Sequence, residues 1–254
     1  QFVGSGNVSE LNVSQMAEMM VGSEVTARPK QRTVLSKKVP KLVLQDIRVK
    51  DDIGVEVVRG LHLTIHEGEI VGVAGVSGNG QRELVEILSG QRQTTSGTIH
   101  VQDQPFQPTR EQIMRHKIFC LPEEPLQNTC VGRMTVAENL AFRNFDREPH
   151  AVGGWLISHP ALRRSAFELI ERYNIKPPYP DTPIQSLSGG NIQRAVLARE
   201  LSAEVEILII ANPCFGLDFL AMEEIRLQIV AARNRGTAVL LVSEDLDELF
   251  ELSD

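Results

Sequence analysis

Two glycine-rich segments and the end of one apolar run hold the side chains best suited to chemistry on phosphates. The first, Gly75-Val76-Ser77-Gly78-Asn79-Gly80-Gln81-Arg82, keeps the glycine frame of GxxxxGK[ST]. In that frame glycines let successive backbone N–H groups curl around phosphate oxygens, and the helix that follows adds its positive end. The lysine that reaches the outer phosphates is here Gln81, and the hydroxyl that ligates magnesium is Arg82. Glu83 stands where the GxGxxG dinucleotide fingerprint needs a small residue, which excludes that fingerprint. Alone, the segment is equally a tight strand-to-helix turn. The second segment is Ser186-Leu187-Ser188-Gly189-Gly190-Asn191-Ile192-Gln193-Arg194, running into amphipathic residues 195–201. A serine before two glycines at a helix start offers an anion a hydroxyl and several unpaired N–H groups, although a lone SGG suits any helix cap. Third, the apolar run 207–210 ends in Ala211-Asn212-Pro213, with Gly216-Leu217-Asp218 close behind.

Such segments need elements that bring strand ends together. Apolar runs at 42–49, 61–65, Ile70–Ala74, 98–101, 117–121, 207–210 and 237–242 predict strands, with His62 and Thr64 alternating against apolar neighbours as on a half-buried sheet. Leu84, Val85, Ile87 and Leu88 predict a helix directly after the first glycine loop, and Phe219–Asn234 predicts one between the last two strands. That late alternation favours a parallel sheet. Between 135 and 180 no strand is predicted. Within it, 161–173 carries the stripe Leu162, Ala166, Leu169, Ile170 and Tyr173, a helical subdomain inserted into the sheet, and Trp155 is expected to anchor a loop.

The chain has 254 residues, 42% hydrophobic and 23% charged, with a net charge of -7. It can bury a core without disulfides or metals. Its acidity opposes strong non-specific binding to nucleic acid, so no nucleic-acid partner is expected. Cys120, Cys130 and Cys214 show no CxxC spacing and the histidines no ligand spacing, which suggests a reducing compartment and no zinc site. No apolar run approaches the roughly 18 residues of a transmembrane helix. In residues 1–41, Arg28, Lys30, Arg32, Lys37, Lys38 and Lys41 outnumber Glu10, Glu18 and Glu24. That basic stretch reads as a linker. Within it Met16, Met19 and Met20 predict a short amphipathic helix that docks on a neighbour or, as the alternative, on a membrane, followed by an extended connector over 28–40.

Order and spacing remove the ambiguity of the single motifs. Glycine loop, helical insertion, Leu187-Ser188-Gly189-Gly190-Asn191, helix, apolar strand and Gly216-Leu217-Asp218 follow one another as in ATP-binding cassette (ABC) ATPases, whose LSGGQ signature the second segment resembles with Asn191 in place of Gln. The run Gly72-Val73-Ala74-Gly75-Val76-Ser77-Gly78-Asn79-Gly80-Gln81, then Leu121-Pro122-Glu123 and Ala211-Asn212-Pro213, narrows the match. It resembles the second ATP-binding half of the tandem-cassette ATPases that serve bacterial simple-sugar and nucleoside importers. The resemblance covers 42–254. It implies an α/β, ABC-type P-loop nucleotide-binding domain, with a parallel sheet core, an antiparallel β part and a helical subdomain at about 135–200. Residues 1–41 would be the tail of a preceding cassette and a linker, and the C-terminus would be cut short.

The resemblance also assigns roles. Gly75, Val76, Ser77, Gly78, Asn79, Gly80, Gln81, Arg82 and Glu83 would contact nucleotide. Leu187, Ser188, Gly189, Gly190, Asn191 and Gln193 would act in trans on a sister cassette's ATP, with Asp218 in the loop between the sites. Ala211 and Asn212 replace the magnesium-binding carboxylate and the general base, Glu244 the switch histidine and Glu123 the Q-loop glutamine. Losing a general base costs about 10²–10⁴ in rate. Arg82 is either a compensating cation or a solvated helix residue. Segment 123–139, with Met134, Thr135 and Val136, would face a membrane subunit or simply start a helix. The implied function is a degenerate ATP-binding half that binds ATP weakly or without hydrolysis, with Mg2+ only alongside the nucleotide. Its partners would be the sister cassette on the same polypeptide, integral-membrane permease subunits and, indirectly, an extracytoplasmic solute-binding protein. Its place would be peripheral, on the cytoplasmic face of the bacterial membrane. The alternative is a nucleotide-free pseudo-ATPase scaffold. A fully active ATPase is disfavoured by Ala211 and Asn212.

Overall fold

Alternating apolar and polar residues put Pro40–Lys50 (β1) and Glu56–His66 (β2) into an antiparallel pair whose inward side chains include Leu42, Leu44, Ile47 and Ile65. Ser96–Val101 (β4) and Gln104–Pro105 (β5) complete this sheet in the order β2-β1-β4-β5. A second sheet is parallel, in the order β3-β10-β9-β6, built from Ile70–Ala74 (β3), Ile118–Leu121 (β6), Ile207–Ala211 (β9) and Ala238–Ser243 (β10). Every residue of β9 and β10 is buried, as expected for central parallel strands covered on both faces. The structure, a computed structural model, describes residues 39–153 and 155–254. The methionine-bearing helix and most of the connector expected in residues 1–41 lie outside the described residues.

Gln81–Ser89 (α1) packs Leu84, Val85, Ile87 and Leu88 into the core between the two sheets. Arg110–Arg115 (α2) leads into β6. The insertion between β6 and β9 carries Pro125–Asn128 (α3), Val136–Leu140 (α4), His159–Arg172 (α5), a short 3-10 turn at Ile184–Ser186 and Gly189–Leu201 (α6). Its apolar side joins the opposite face of the parallel sheet, together with Phe219–Asn234 (α7) and Leu246–Leu252 (α8). The α/β core, antiparallel part and helical insertion are as the sequence implied. The first strand starts at Pro40, two residues ahead of the expected boundary.

Two local expectations are corrected and one open alternative is resolved. A small antiparallel hairpin, Ala151–Val152 (β7) with Leu156–Ile157 (β8), lies where no strand was predicted. Two-residue strands with mostly exposed side chains leave no periodicity to detect. Trp155 is 93% exposed and anchors nothing. Val136 is fully buried, so it packs inside the helical core rather than facing a partner.

Thr135 starts α4 through a capping box. Its hydroxyl accepts the Glu138 N–H at 3.2 Å, and its own N–H donates to Glu138 Oε2 at 2.8 Å. These bonds from Thr135, backbone first and then side chain, hold the Glu138 carboxyl below its usual range. Thr135→Ala should therefore cost about 1 kcal/mol at neutral pH. A depressed carboxylate stabilises the fold fully above the unfolded-state pKa and loses that contribution as pH falls through the lowered folded value. Urea titrations at pH 7 and at acid pH should show the Thr135→Ala difference shrinking in acid; a difference independent of pH would contradict the role given to Glu138.

Candidate functional site

Register brings the first and third motifs to one place. Ser243 pairs with Ala74, and Val242 with Ala211, in parallel strands, so the residues after β3, β9 and β10 leave the sheet at one level. Ligands in open α/β sheets lie at such carboxyl ends. A cleft of about 470 Å³ opens there, lined among others by Ser77, Gln81, Glu86, Glu123, Asn212 and Glu244. Gly75, Gly78 and Arg82 also line it, whereas Val76, Asn79, Gly80 and Glu83 do not.

The glycines answer to close approach. A Cβ on Gly75 would stand 2.0 Å from Gln81 Nε2, so the Gln81 carboxamide lies directly on the loop. Its Oε1 accepts the Asn79 N–H at 3.2 Å. Gly80 has φ 91, and a Cβ there would meet the Val57 carbonyl at 2.8 Å, so it seats the loop against β2.

Asn212 has a left-handed backbone, a conformation that Asn tolerates better than most residues. Its N–H donates to the Val242 carbonyl at 2.8 Å, and its side-chain Oδ1 accepts the Glu244 N–H at 2.9 Å. Glu244 in turn accepts a hydrogen bond from the Ser77 hydroxyl. Glu123 lines the same cleft and accepts through its backbone carbonyl from Asn128 Nδ2 at 2.6 Å.

Arg82 turns along its own helix. Its Nε contacts Glu86 Oε1 at 2.7 Å, four residues on, and the bond to Glu86 raises the guanidinium pKa. It is the solvated helix residue, with its charge already engaged. Glu86 and Arg92, which carried no motif, extend this cluster: Arg92 contacts Glu86 Oε2 at 2.7 Å and Asp52 at 2.6 Å. The i, i+4 spacing of Arg82 and Glu86 was the available signal for the first pair.

The second motif stands apart from this cleft. Ser188 is the N-cap of α6 but makes no cap bond; its exposed hydroxyl instead accepts from Asn191 Nδ2 at 2.8 Å. Asn191 Oδ1 accepts the Lys176 N–H at 2.7 Å, which fixes the amide that holds the serine. Gln193 is 5% exposed and donates to the Pro213 carbonyl at 2.8 Å. Leu187 belongs to the helical core. Gln193 and Leu187, expected to act on a partner's nucleotide, both point inward in this chain. Gln193 ties α6 to the turn after β9. Asp218 is exposed and caps α7 by accepting the Ala221 N–H at 2.9 Å. Beside it Phe215 is exposed and Cys214 buried. Burial pushes the Cys120 thiol up to about 12 and Cys130 to about 11, and raises Cys214 as well, so none is a ready nucleophile.

Residues 58–214 match the family model described as ABC transporter. The glucose import ATP-binding protein TsgD13 of Haloferax volcanii is 35% identical over 255 residues, covering 99% of this chain and 46% of that protein. The guanosine import ATP-binding protein NupO of Bacillus subtilis is 35% identical over 249 residues, covering 98% and 48%. The chain spans about half the length of the curated relatives it matches. A nucleotide-free ATP-binding cassette from an ABC transporter shares the fold, with a TM-score of 0.69 at 17% identity over 85% of each chain.

Proposed function

Because the chain belongs to the ABC transporter family, we propose that it is the catalytically impaired second ATP-binding half of a tandem-cassette importer ATPase. It pairs with a sister cassette on the same polypeptide and supplies Ser188, Gly189, Gly190 and Asn191 to the sister's ATP. Integral-membrane permease subunits and, through them, an extracytoplasmic solute-binding protein complete the assembly at the cytoplasmic face of the membrane. No described helix is long and apolar enough to cross a bilayer. The relatives import glucose or guanosine by name, which supports uptake of simple sugars or nucleosides.

One observation carries this assignment: the two phosphate-directed motifs line different, adjoining hollows and differ in chemical competence. Ser188 is exposed with its hydroxyl positioned by Asn191, ready to donate outward. At the general-base position the cleft at the strand ends holds Asn212, a neutral amide whose Oδ1 already receives the Glu244 N–H. The glycine frame and the start of α1 suit phosphate oxygens. The positions that would ligate magnesium do not suit the cation, because Ala211 has no oxygen in its side chain and Arg82 is itself positive.

ATP turnover by the 254-residue chain alone should stay at background, measured as phosphate release with and without Mg2+. Turnover at the rate of ordinary ABC cassettes would overturn the impairment. A nucleotide-free scaffold is the alternative, and the contact between Glu244 and Ser77 favours it. Binding of ATP to the chain, by calorimetry, separates the two: measurable weak binding supports the impaired half, and none at millimolar ATP supports the scaffold.

A further inference from the structure

Two donors that face the glycine loop are met from inside the chain. The Ser77 hydroxyl donates to Glu244 Oε1, and the Asn79 N–H donates to Gln81 Oε1. The Gln81 carboxamide lies against Gly75, and Asn79 Nδ2 closes the turn on the Val76 carbonyl at 3.1 Å. Glu244 is held in place through its backbone, whose N–H is received by Asn212 Oδ1 at 2.9 Å. Asn212 is itself fixed to β10 through the Val242 carbonyl. Two side-chain oxygens, one a carboxylate's, thus bond to the loop in the manner of phosphate oxygens. The cation that lines the cleft, Arg82, is paired with Glu86.

We propose that Glu244 is an internal phosphate mimic: its carboxylate, presented by Asn212 and held by Ser77, occupies the cradle of this half and sets its low affinity for nucleoside phosphates. A phosphate entering the loop must displace the carboxylate from Ser77 and then remain beside its negative charge. The proposal rests on the impaired-half function above and adds the residue that governs occupancy. Asn212 is then a positioning residue, whose carbonyl aims the Glu244 backbone.

The test is calorimetric titration of the 254-residue chain and of Glu244→Gln, Glu244→Ala and Ser77→Ala with ATP, ADP and adenosine. Removing one charge-assisted hydrogen bond and its repulsion should tighten ATP and ADP about tenfold in Glu244→Ala. Glu244→Gln, which keeps the shape and loses the charge, should gain most of that. Ser77→Ala frees Glu244 but deletes a loop donor, so it should gain less. Adenosine, which has no phosphate, should bind all four chains alike. Unchanged or weakened ATP binding in both Glu244 variants, with native circular dichroism, overturns the mimic; so does an equal gain for adenosine. Turnover by the unaltered chain would instead defeat the impaired-half function, whatever the Glu244 variants do. Background turnover with no gain in affinity would defeat the mimic alone.

Discussion

In the two-cassette protein proposed above, Ser188→Ala should lower ATP hydrolysis about 10²-fold, although Ser188 does not line the cleft of this chain. The serine is the N-cap of α6, yet its hydroxyl accepts none of the helix's backbone N–H groups. Asn191 Nδ2 occupies an acceptor position on the hydroxyl, which leaves the hydroxyl proton to be donated to an anion. Donors aimed at charge developing on a transferring group are worth about 10²–10³ each in turnover. The loss should fall on kcat more than on KM, because the interaction strengthens as the γ-phosphoryl charge redistributes. Asn191→Ala should cost about tenfold, since the amide only orients the serine while a hydroxyl remains. Steady-state kinetics of the two variants decide the matter: Ser188→Ala retaining half or more of the activity would remove this half from the hydrolytic step.

Glu200→Ala should cost about 3–5 kcal/mol of stability, the loss typical of a buried ion pair deprived of one partner. Glu200 is 1% exposed in α6, and its two oxygens receive Arg143 Nη2 at 2.6 Å and Arg199 Nε at 2.7 Å. Arg199 also donates to the Thr129 carbonyl at 3.0 Å, and the Arg143 guanidinium lies 4.6 Å from the Phe119 ring centre. Without the carboxylate, two guanidinium groups remain in a largely buried space with no ion-pair partner among the described residues. For a chain of this size the loss corresponds to a fall in Tm of roughly 10 °C. Glu200→Gln keeps the acceptor oxygen and should lose less. Replacing Arg143, Arg199 and Glu200 together by apolar residues should recover much of the loss, because the cost lies in the unpaired charges and not in the missing attraction. Thermal melts of the three variants check this ordering; a triple variant weaker than Glu200→Ala would show that the attraction itself was the larger contribution.

The same cluster shows where sequence patterns stop being readable. Arg199 and Glu200 are adjacent in α6, and nothing in their spacing indicates that Arg143, in the stretch after α4, meets them. By contrast Phe219–Asn234 and Ile70–Ala74 have the bounds their apolar patterns predict, because a buried stripe or run sets an element's extent wherever one face must leave water. The hairpin of β7 and β8 escaped because little of it is buried, so nothing forces a period on its residues. Val136 and Gln193 show a related limit: a residue type inside a motif does not say which way its side chain turns, and both turn inward.

Motif order, the glycine frame, the Ser188-Gly189-Gly190 helix start and the replacements Gln81, Arg82, Ala211 and Asn212 were all determined by the sequence alone, because each is a matter of residue type at a fixed separation along the chain. Tertiary structure decided the rest. Parallel register carried Ala74, Ala211 and Ser243 to one edge and so joined Ser77, Asn212 and Glu244 across more than a hundred residues of chain, while Ser188, in the helical insertion, does not line the cleft they share. Whether a replaced residue is merely inert or has taken up a new hydrogen bond depends on which groups face it, and that is fixed by how strands pair and side chains pack, not by spacing along the chain.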